Sequence, residues 1–293
     1  MISVVFITCN RKDELSEAII SCLDKISEPF EIVIVDNSSS DGTKVKVVEL
    51  SEKYNFELNY LYNVTNLGVA QARNIGYKIA KGDVLFFLDD DAKVVSDGKS
   101  ISDVANFMRA HNEYPIVATE IFNVPKNYYQ HGVFPNKVPK RTEGVILNFI
   151  GACHFINKSI LGNIDLYPNN IFYGGEELFL SLRIIQKSFK VFYNKSVKIL
   201  HFPSNKSRIN KFEIQTRNYI NGFIVKRYFV PMIFQPVIWF VIIFRLLLIS
   251  RFNISKFNIF IKHINNYDNK YKNRFKINEY WTLLCNYNIK ALL

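Results

Sequence analysis

The chain has 293 residues, enough for a full α/β core with a smaller element attached. Hydrophobic residues make up 48% and charged residues 22%, which excludes a disordered chain, and four scattered cysteines with no Cys-x-x-Cys pair give no zinc or redox framework and fit a reducing compartment. The net charge of +11 is uneven: residues 1–205 carry 22 basic and 23 acidic side chains, residues 206–293 carry 15 and 3.

The first element is an apolar run, Ile2 to Thr8, read as a buried strand. It lacks a basic stretch, a long apolar core and a small-residue cleavage site, so no signal peptide is expected. Lys12–Lys25 places Leu15, Ala18, Ile19 and Cys22 at helical spacing. Glu31–Val35 reads as a second strand, ended by the polar loop Asp36–Gly42. Thr43–Tyr54 reads as helix, Glu57–Tyr62 as strand, Val69–Ala80 as helix, and Asp83–Leu88 as an apolar strand running into Asp89, Asp90 and Asp91. Such alternation predicts an α/β fold with a mostly parallel central sheet covered on both faces, with ligands at the carboxyl ends of its strands. Ser100–His111 is expected to be helical and Ile116–Phe122 a strand, with a long loop over Val124–Arg141. Val145–Ile150 and His154–Asn157 read as strand pieces, Glu176–Lys187 as helix, and Lys190–Tyr193 and Val197–Leu200 as two short strands.

After Ser207 the character changes. Phe212–Arg227 is helical and basic, and Val230–Ile249 is strongly apolar but broken by Pro231, Gln235, Pro236 and Arg245. Its longest unbroken piece is too short to span a bilayer, so a helix lying in the membrane interface is expected. Positive charge among aromatic residues also suits RNA, but no RNA-binding motif is present, and the apolar core beside the charge favours anionic lipid.

The sharpest chemical signal is the acidic run. In extended backbone Asp89 and Asp91 point the same way and can converge on a hard divalent cation holding a diphosphate. The plainer alternative is an acidic loop or a helix cap, but three mutually repelling carboxylates are seldom gathered for that alone.

Thr8-Cys9-Asn10-Arg11, Val35-Asp36 through Thr43, Asn66-Leu67-Gly68 through Ala72-Arg73-Asn74, and Phe87-Leu88-Asp89-Asp90-Asp91 follow one another in the order and spacing of family 2 glycosyltransferases. The resemblance continues through Gly151-Ala152-Cys153, Gly175-Glu176-Glu177 and His201, and covers about residues 1–205. It implies a GT-A-type nucleotide-sugar-binding and catalytic domain there, followed by a basic helical extension over 206–293. It places Thr8, Asn10, Arg11, Asp36, Asn66, Arg73, Asp89, Asp90, Gly151 and Ala152 around the donor. It also makes Asp91, Asp89 and His201 metal ligands, for Mn or Mg.

Several of these residues make chemical sense unaided. A carboxylate at Asp36 can accept the imide N–H of uracil or thymine, or else simply hold its serine-rich loop. Arg73 could face base or phosphate, or form a structural ion pair. Glu176 and Glu177 suit a helix N-terminus, yet glycosyl transfer with inversion needs one carboxylate to take the acceptor's proton. Glu177 is expected as that base, with Glu176 binding acceptor; the family often has Glu-Asp here, and Phe179 replaces a common further acid. Arg183 shares the face of Glu176 and is expected to orient the helix.

The expected reaction is transfer from a UDP- or dTDP-sugar to a glycan or polyprenyl-linked hydroxyl in bacterial surface polysaccharide synthesis. The expected place is the cytoplasmic face of the membrane, without nucleic acid, with oligomerisation open. A nucleotidyltransferase would want a glycine-rich phosphate loop after the first strand, which Thr8–Arg11 is not. A non-catalytic glycan-binding scaffold is the other alternative.

Overall fold

The computed structural model describes residues 1–169, 171–203, 211–250 and 274–287, with the backbone alone at 211–218 and 249–250. The expected boundary at 205/206, and much of the segment after it, lies outside the described residues. The amino-terminal alternation is realised as β1 (Ile2–Thr8), α1 (Lys12–Leu23), β2 (Phe30–Asn37), α2 (Thr43–Tyr54), β3 (Glu57–Asn63), α3 (Val69–Ile79) and β4 (Val84–Leu88). Then come β5 (Ala92–Val94), α4 (Ser100–Ala110), β6 (Ile116–Asn123), β7 (Tyr128–Gln130), β8 (Gly144–Ile146), β9 (Cys153–Asn157), α5 (Lys158–Leu161), α6 (Glu176–Gln186) and β10 (Val191–His201). The helices α7 (Lys211–Phe229), α8 (Gln235–Ser250) and α9 (Ile277–Asn286) follow.

The sheet runs in the order β3-β2-β1-β4-β9-β6-β10-β5, with β7 beside β6 and β8 beside β10. Strands β3, β2, β1 and β4 are mutually parallel, as strand–helix alternation requires. Beyond β4 the sheet is mixed: β9 runs antiparallel to both β4 and β6, and β10 is parallel to β6. Two antiparallel steps restore direction, so β1, β2, β4 and β10 all end on the same edge. The two strands expected over 190–200 are one strand, with a bulge between Tyr193 and Lys198 that interrupts pairing to β6. The expected loop 124–141 contains β7, and the expected strand 145–150 shrinks to β8.

Alternation along the strands supplies two cores. Val4, Phe6, Ile32, Ile34 and Phe86 face α1, α2 and α4. Val5, Val33, Leu85 and Phe87 face the opposite way, into a cluster with α3, α6 and the carboxy-terminal helices. There Phe179 of α6 packs edge-on against Phe229 of α7 at 5.4 Å, and Phe223 of α7 against Trp239 of α8 at 4.7 Å. Tyr280 of α9 lies 5.4 Å from Phe234. Among the described residues no helix is long and apolar enough to cross a membrane.

Candidate active site

The carboxyl edge of the sheet gathers the residues singled out by sequence. Residue 201 of β10 pairs with residue 92 of β5, and the Phe202 N–H donates to the Asp91 carbonyl at 2.8 Å. This register carries His201 onto the acidic run that follows β4. One ligand atom each from Asp89, Asp91 and His201 lies within 4.8 Å of the others. His201 Nδ1 sits 2.6 Å from Gln130 Oε1, so Nδ1 carries the hydrogen and the Nε2 lone pair points elsewhere. Nε2 is buried without a hydrogen-bond partner, 3.2 Å from Asp91 Oδ1. Two ligand atoms facing each other with a second carboxylate nearby fit a divalent cation.

Arg11 anchors two carboxylates of the acidic run. Its Nη1 donates to Asp90 Oδ1 at 2.9 Å and to Asp91 Oδ2 at 2.7 Å, leaving Asp91 Oδ1 on the His201 side. Thr8 Oγ1 donates to Asp90 Oδ2 at 2.8 Å. Burial raises the Asp90 carboxyl to about 7 against the pull of Arg11. For Asp91, burial is outweighed by His201, where its ring carries a proton on both nitrogens, and by Arg11, and the carboxyl is held well below the usual carboxylate range.

The loop after β2 is built around Asp36. Its Oδ1 accepts the Ser39 N–H at 2.7 Å, and its Oδ2 accepts the Tyr60 hydroxyl. Asn10, in the left-handed region at φ 55°, donates its N–H to Ser39 Oγ and accepts the Ser40 N–H. Asn66 accepts the Gly68 N–H at 2.9 Å. Gly68 lies so close to Phe172 that a Cβ would meet its carbonyl oxygen at 2.6 Å. Thr8, Asn10, Arg11 and Asp36 therefore share one end of the sheet, joined by direct contacts to the acidic run or within the serine-rich loop, while Asn66 reaches Gly68 and the Cys9 thiol.

Arg73 links the two halves of the site. It is buried on α3, and its Nη2 donates to Asp89 Oδ1 at 3.2 Å and to the Gly151 carbonyl at 2.9 Å. Its Nη1 lies 3.4 Å from Glu177 Oε1 and 3.6 Å from Glu176 Oε1. The Asp89 N–H donates to the Ala152 carbonyl, which seats the 151–152 backbone beside the acidic run. A Cβ at Gly151 would collide with Glu177 Oε1 and approach Arg73 Nη1 at 2.8 Å, so any side chain there would push those two groups aside.

Glu176 and Glu177 open α6 behind Gly175, whose φ of 91° the backbone needs for the turn. The Glu176 side chain is 3% exposed and that of Glu177 is 20% exposed, so Glu177 is the one that solvent or substrate can reach. Burial, reinforced by the charge of Glu177 and opposed by Arg73, pushes Glu176 up to about 8. Burial also raises Glu177, against Arg73. Arg183 donates to the Asp165 carbonyl and so ties α6 to the preceding loop, as expected.

Sequence reasoning passed over Tyr60 and Gln130. Neither carries a local signal, since both become partners only through strand pairing.

Residues 3–165 match the family described as Glycosyl transferase family 2. Over 91 residues the chain is 37% identical to an uncharacterized glycosyltransferase of Haemophilus influenzae, a match covering 31% of this chain and 29% of that protein. Over 196 residues it is 31% identical to the minor teichoic acid biosynthesis protein GgaB of Bacillus subtilis, covering 63% of this chain and 21% of that protein. The chain thus spans less than a third of either relative. Among solved structures, S. aureus TarS 1-349 in complex with UDP-GlcNAc superposes with a TM-score of 0.57 at 20% identity, covering 77% of this chain and 65% of that one. At that identity the likeness speaks for the fold, which is of the GT-A type. With over half its length inside the family match, and with the acidic run, the Arg73 bridge and the paired glutamates assembled on one sheet edge, the chain belongs to glycosyl transferase family 2.

Proposed function

We propose that this protein transfers a sugar from a UDP- or dTDP-sugar to a hydroxyl of a glycan or lipid-linked acceptor, with inversion, during synthesis of a bacterial surface polysaccharide. The carrying observation is the placement of Asp89, Asp91 and His201 on one side of Arg73, and of Glu176 and Glu177 on the other. The teichoic acid role in the name of GgaB and the UDP-GlcNAc bound by TarS support the donor and product classes.

In this reading Asp36 accepts the imide N–H of the base, and Thr8, Asn10, Arg11, Asn66, Asp90, Gly151 and Ala152 shape the donor end. Asp89, Asp91 and His201 would hold a divalent cation, which would supply positive charge to a diphosphate leaving group. Glu177 accepts the proton of the attacking hydroxyl, its proton affinity raised by burial. As the acceptor oxygen bonds to the anomeric carbon, the bond to the diphosphate breaks and its electron pair leaves with the nucleotide. Glu176, expected from sequence to bind the acceptor, is too deeply buried to touch it, and in this reading it supports Glu177 through their shared partner Arg73. Attachment is peripheral, on the cytoplasmic side, through residues 206–293 to an anionic membrane surface.

Thermal shift with UDP, with and without Mn²⁺, tests this reading. Wild type and Glu177→Gln should both gain stability from UDP only when Mn²⁺ is present, and Asp91→Asn should not. Equal Mn²⁺-dependent gains in Asp91→Asn and wild type would refute the donor site.

A further inference from the structure

Helix α8 is apolar on both of its faces. Ile238, Ile242 and Leu246 are buried toward α7 and the core. On the other side, Ile233 just before the helix, then Val237, Phe240, Phe244 and Leu248, recur at steps of three or four and stand in solvent, Ile233 at 66% and Phe240 at 72% exposure. Ile277 and Trp281, one turn apart on α9, are exposed as well. A helix apolar all round calls for a second apolar medium beyond its own core. At 16 residues α8 is about 24 Å long, shorter than the roughly 30 Å of a bilayer's hydrocarbon, and one face is already taken. Residues 214–267 contain seven Lys or Arg and no Asp or Glu. An apolar stripe within purely basic chain complements an anionic lipid surface and not a second copy, whose own positive segment would repel it.

We infer that the outer stripe of α8, centred on Phe240 and Phe244, is the surface that enters the membrane interface. This deepens the membrane attachment proposed above and rests on it. The stripe belongs to the same packed body as the acceptor carboxylates: Asn221 of α7 donates to the Tyr173 carbonyl at 2.7 Å, and the α7 backbone lies against Gly175, the residue before Glu176. Docking there would bring the paired glutamates, packed against α7, to the surface that carries a lipid-linked acceptor.

The test is co-sedimentation of the full chain with phosphatidylglycerol/phosphatidylcholine vesicles and with phosphatidylcholine alone. Wild type should bind the anionic vesicles more tightly. Phe240→Glu/Phe244→Glu should lower the partition coefficient at least about tenfold, since each large apolar side chain buried is worth about a factor of ten or more. Unchanged Mn²⁺-dependent UDP stabilisation in that variant would show that the fold survives. Wild-type binding that the double variant retains overturns the assignment of the stripe while leaving attachment intact. No vesicle binding by wild type overturns both. A wild-type dimer in light scattering that the double variant dissolves, with vesicle binding unaltered, assigns the stripe to a second copy and overturns the inference.

Discussion

Replacing Glu176 with glutamine should stabilise the protein at alkaline pH and leave it unchanged at acid pH. Glu176 shares one buried arginine with Glu177 and Asp89, three carboxylates to a single guanidinium. Its Oε2 is buried without a hydrogen-bond partner, and its pKa stands near 8 in the folded chain against an ordinary 4.5. A carboxyl raised on folding gives stability that is whole below about 4.5 and is lost as pH climbs through about 8. At roughly 1.4 kcal/mol per pKa unit the upper bound of that loss is about 5 kcal/mol. Water entry and movement of Arg73 should reduce it to about 1–3 kcal/mol. With about 2–4 °C per kcal/mol for a domain of this class, Glu176→Gln should melt roughly 3–10 °C above wild type at pH 9 and coincide with it at pH 4.5. Scanning fluorimetry across that range measures the difference. A gap that does not change with pH, or a variant less stable than wild type at pH 9, would refute the claim that Glu176 is strained by its charge.

Arg73→Met should cost about 3–5 kcal/mol in urea unfolding at pH 9, because it strips the counter-charge from Glu176 and Glu177 where both are ionised, and less at pH 4.5, where protonation removes that charge; wild-type stability at both pH values would sink this. Gly151→Ala should displace Glu177 and abolish transfer while costing about 1–3 kcal/mol of stability, measured by activity alongside circular dichroism; an active alanine variant would mean that Glu177 need not sit where it does. NMR of product made from an α-linked donor should show a β linkage, since one base carboxylate supports single displacement; an α product excludes that mechanism.

Element by element, the amino-terminal half was legible because its signals are local. β1 and α2 have the limits that apolar runs and flanking turn residues give them, and Asp89–Asp91 sits at the end of an apolar strand as read. Short elements were not legible: β5 has three residues and α5 four, below any periodicity. Gln130 lay in an aperiodic stretch that becomes β7 only by pairing with β6. Arg73 was visible as a helix residue after Gly68, but its partners come from positions 89, 151, 176 and 177, which only the folded sheet edge brings together. The antiparallel insertion of β9 had no local signal either, since strand direction is fixed by connections and not by composition.

The carboxy-terminal helices pose a different question, whether attachment can be separated from catalysis by shortening the chain. Removing everything after Ser207 looks like a clean test when the segment is judged by charge alone. The packing argues otherwise. Ile220, Phe223, Ile224, Val225, Tyr228 and Phe229 of α7 are buried in the same cluster as Phe179, Leu180 and Leu182 of α6. At about 1.5–3 kcal/mol for each large apolar side chain buried, their removal forfeits roughly 10 kcal/mol or more, comparable with the whole stability of a domain. It would also strip the support from the loop that aims Glu176 and Glu177, where Asn221 grips Tyr173. A truncated chain would thus lose membrane binding and donor binding together, through unfolding. Glutamate substitutions at Phe240 and Phe244 on the exposed stripe of α8 leave that cluster untouched, which makes them the perturbation able to separate docking at the membrane from chemistry at the sheet edge.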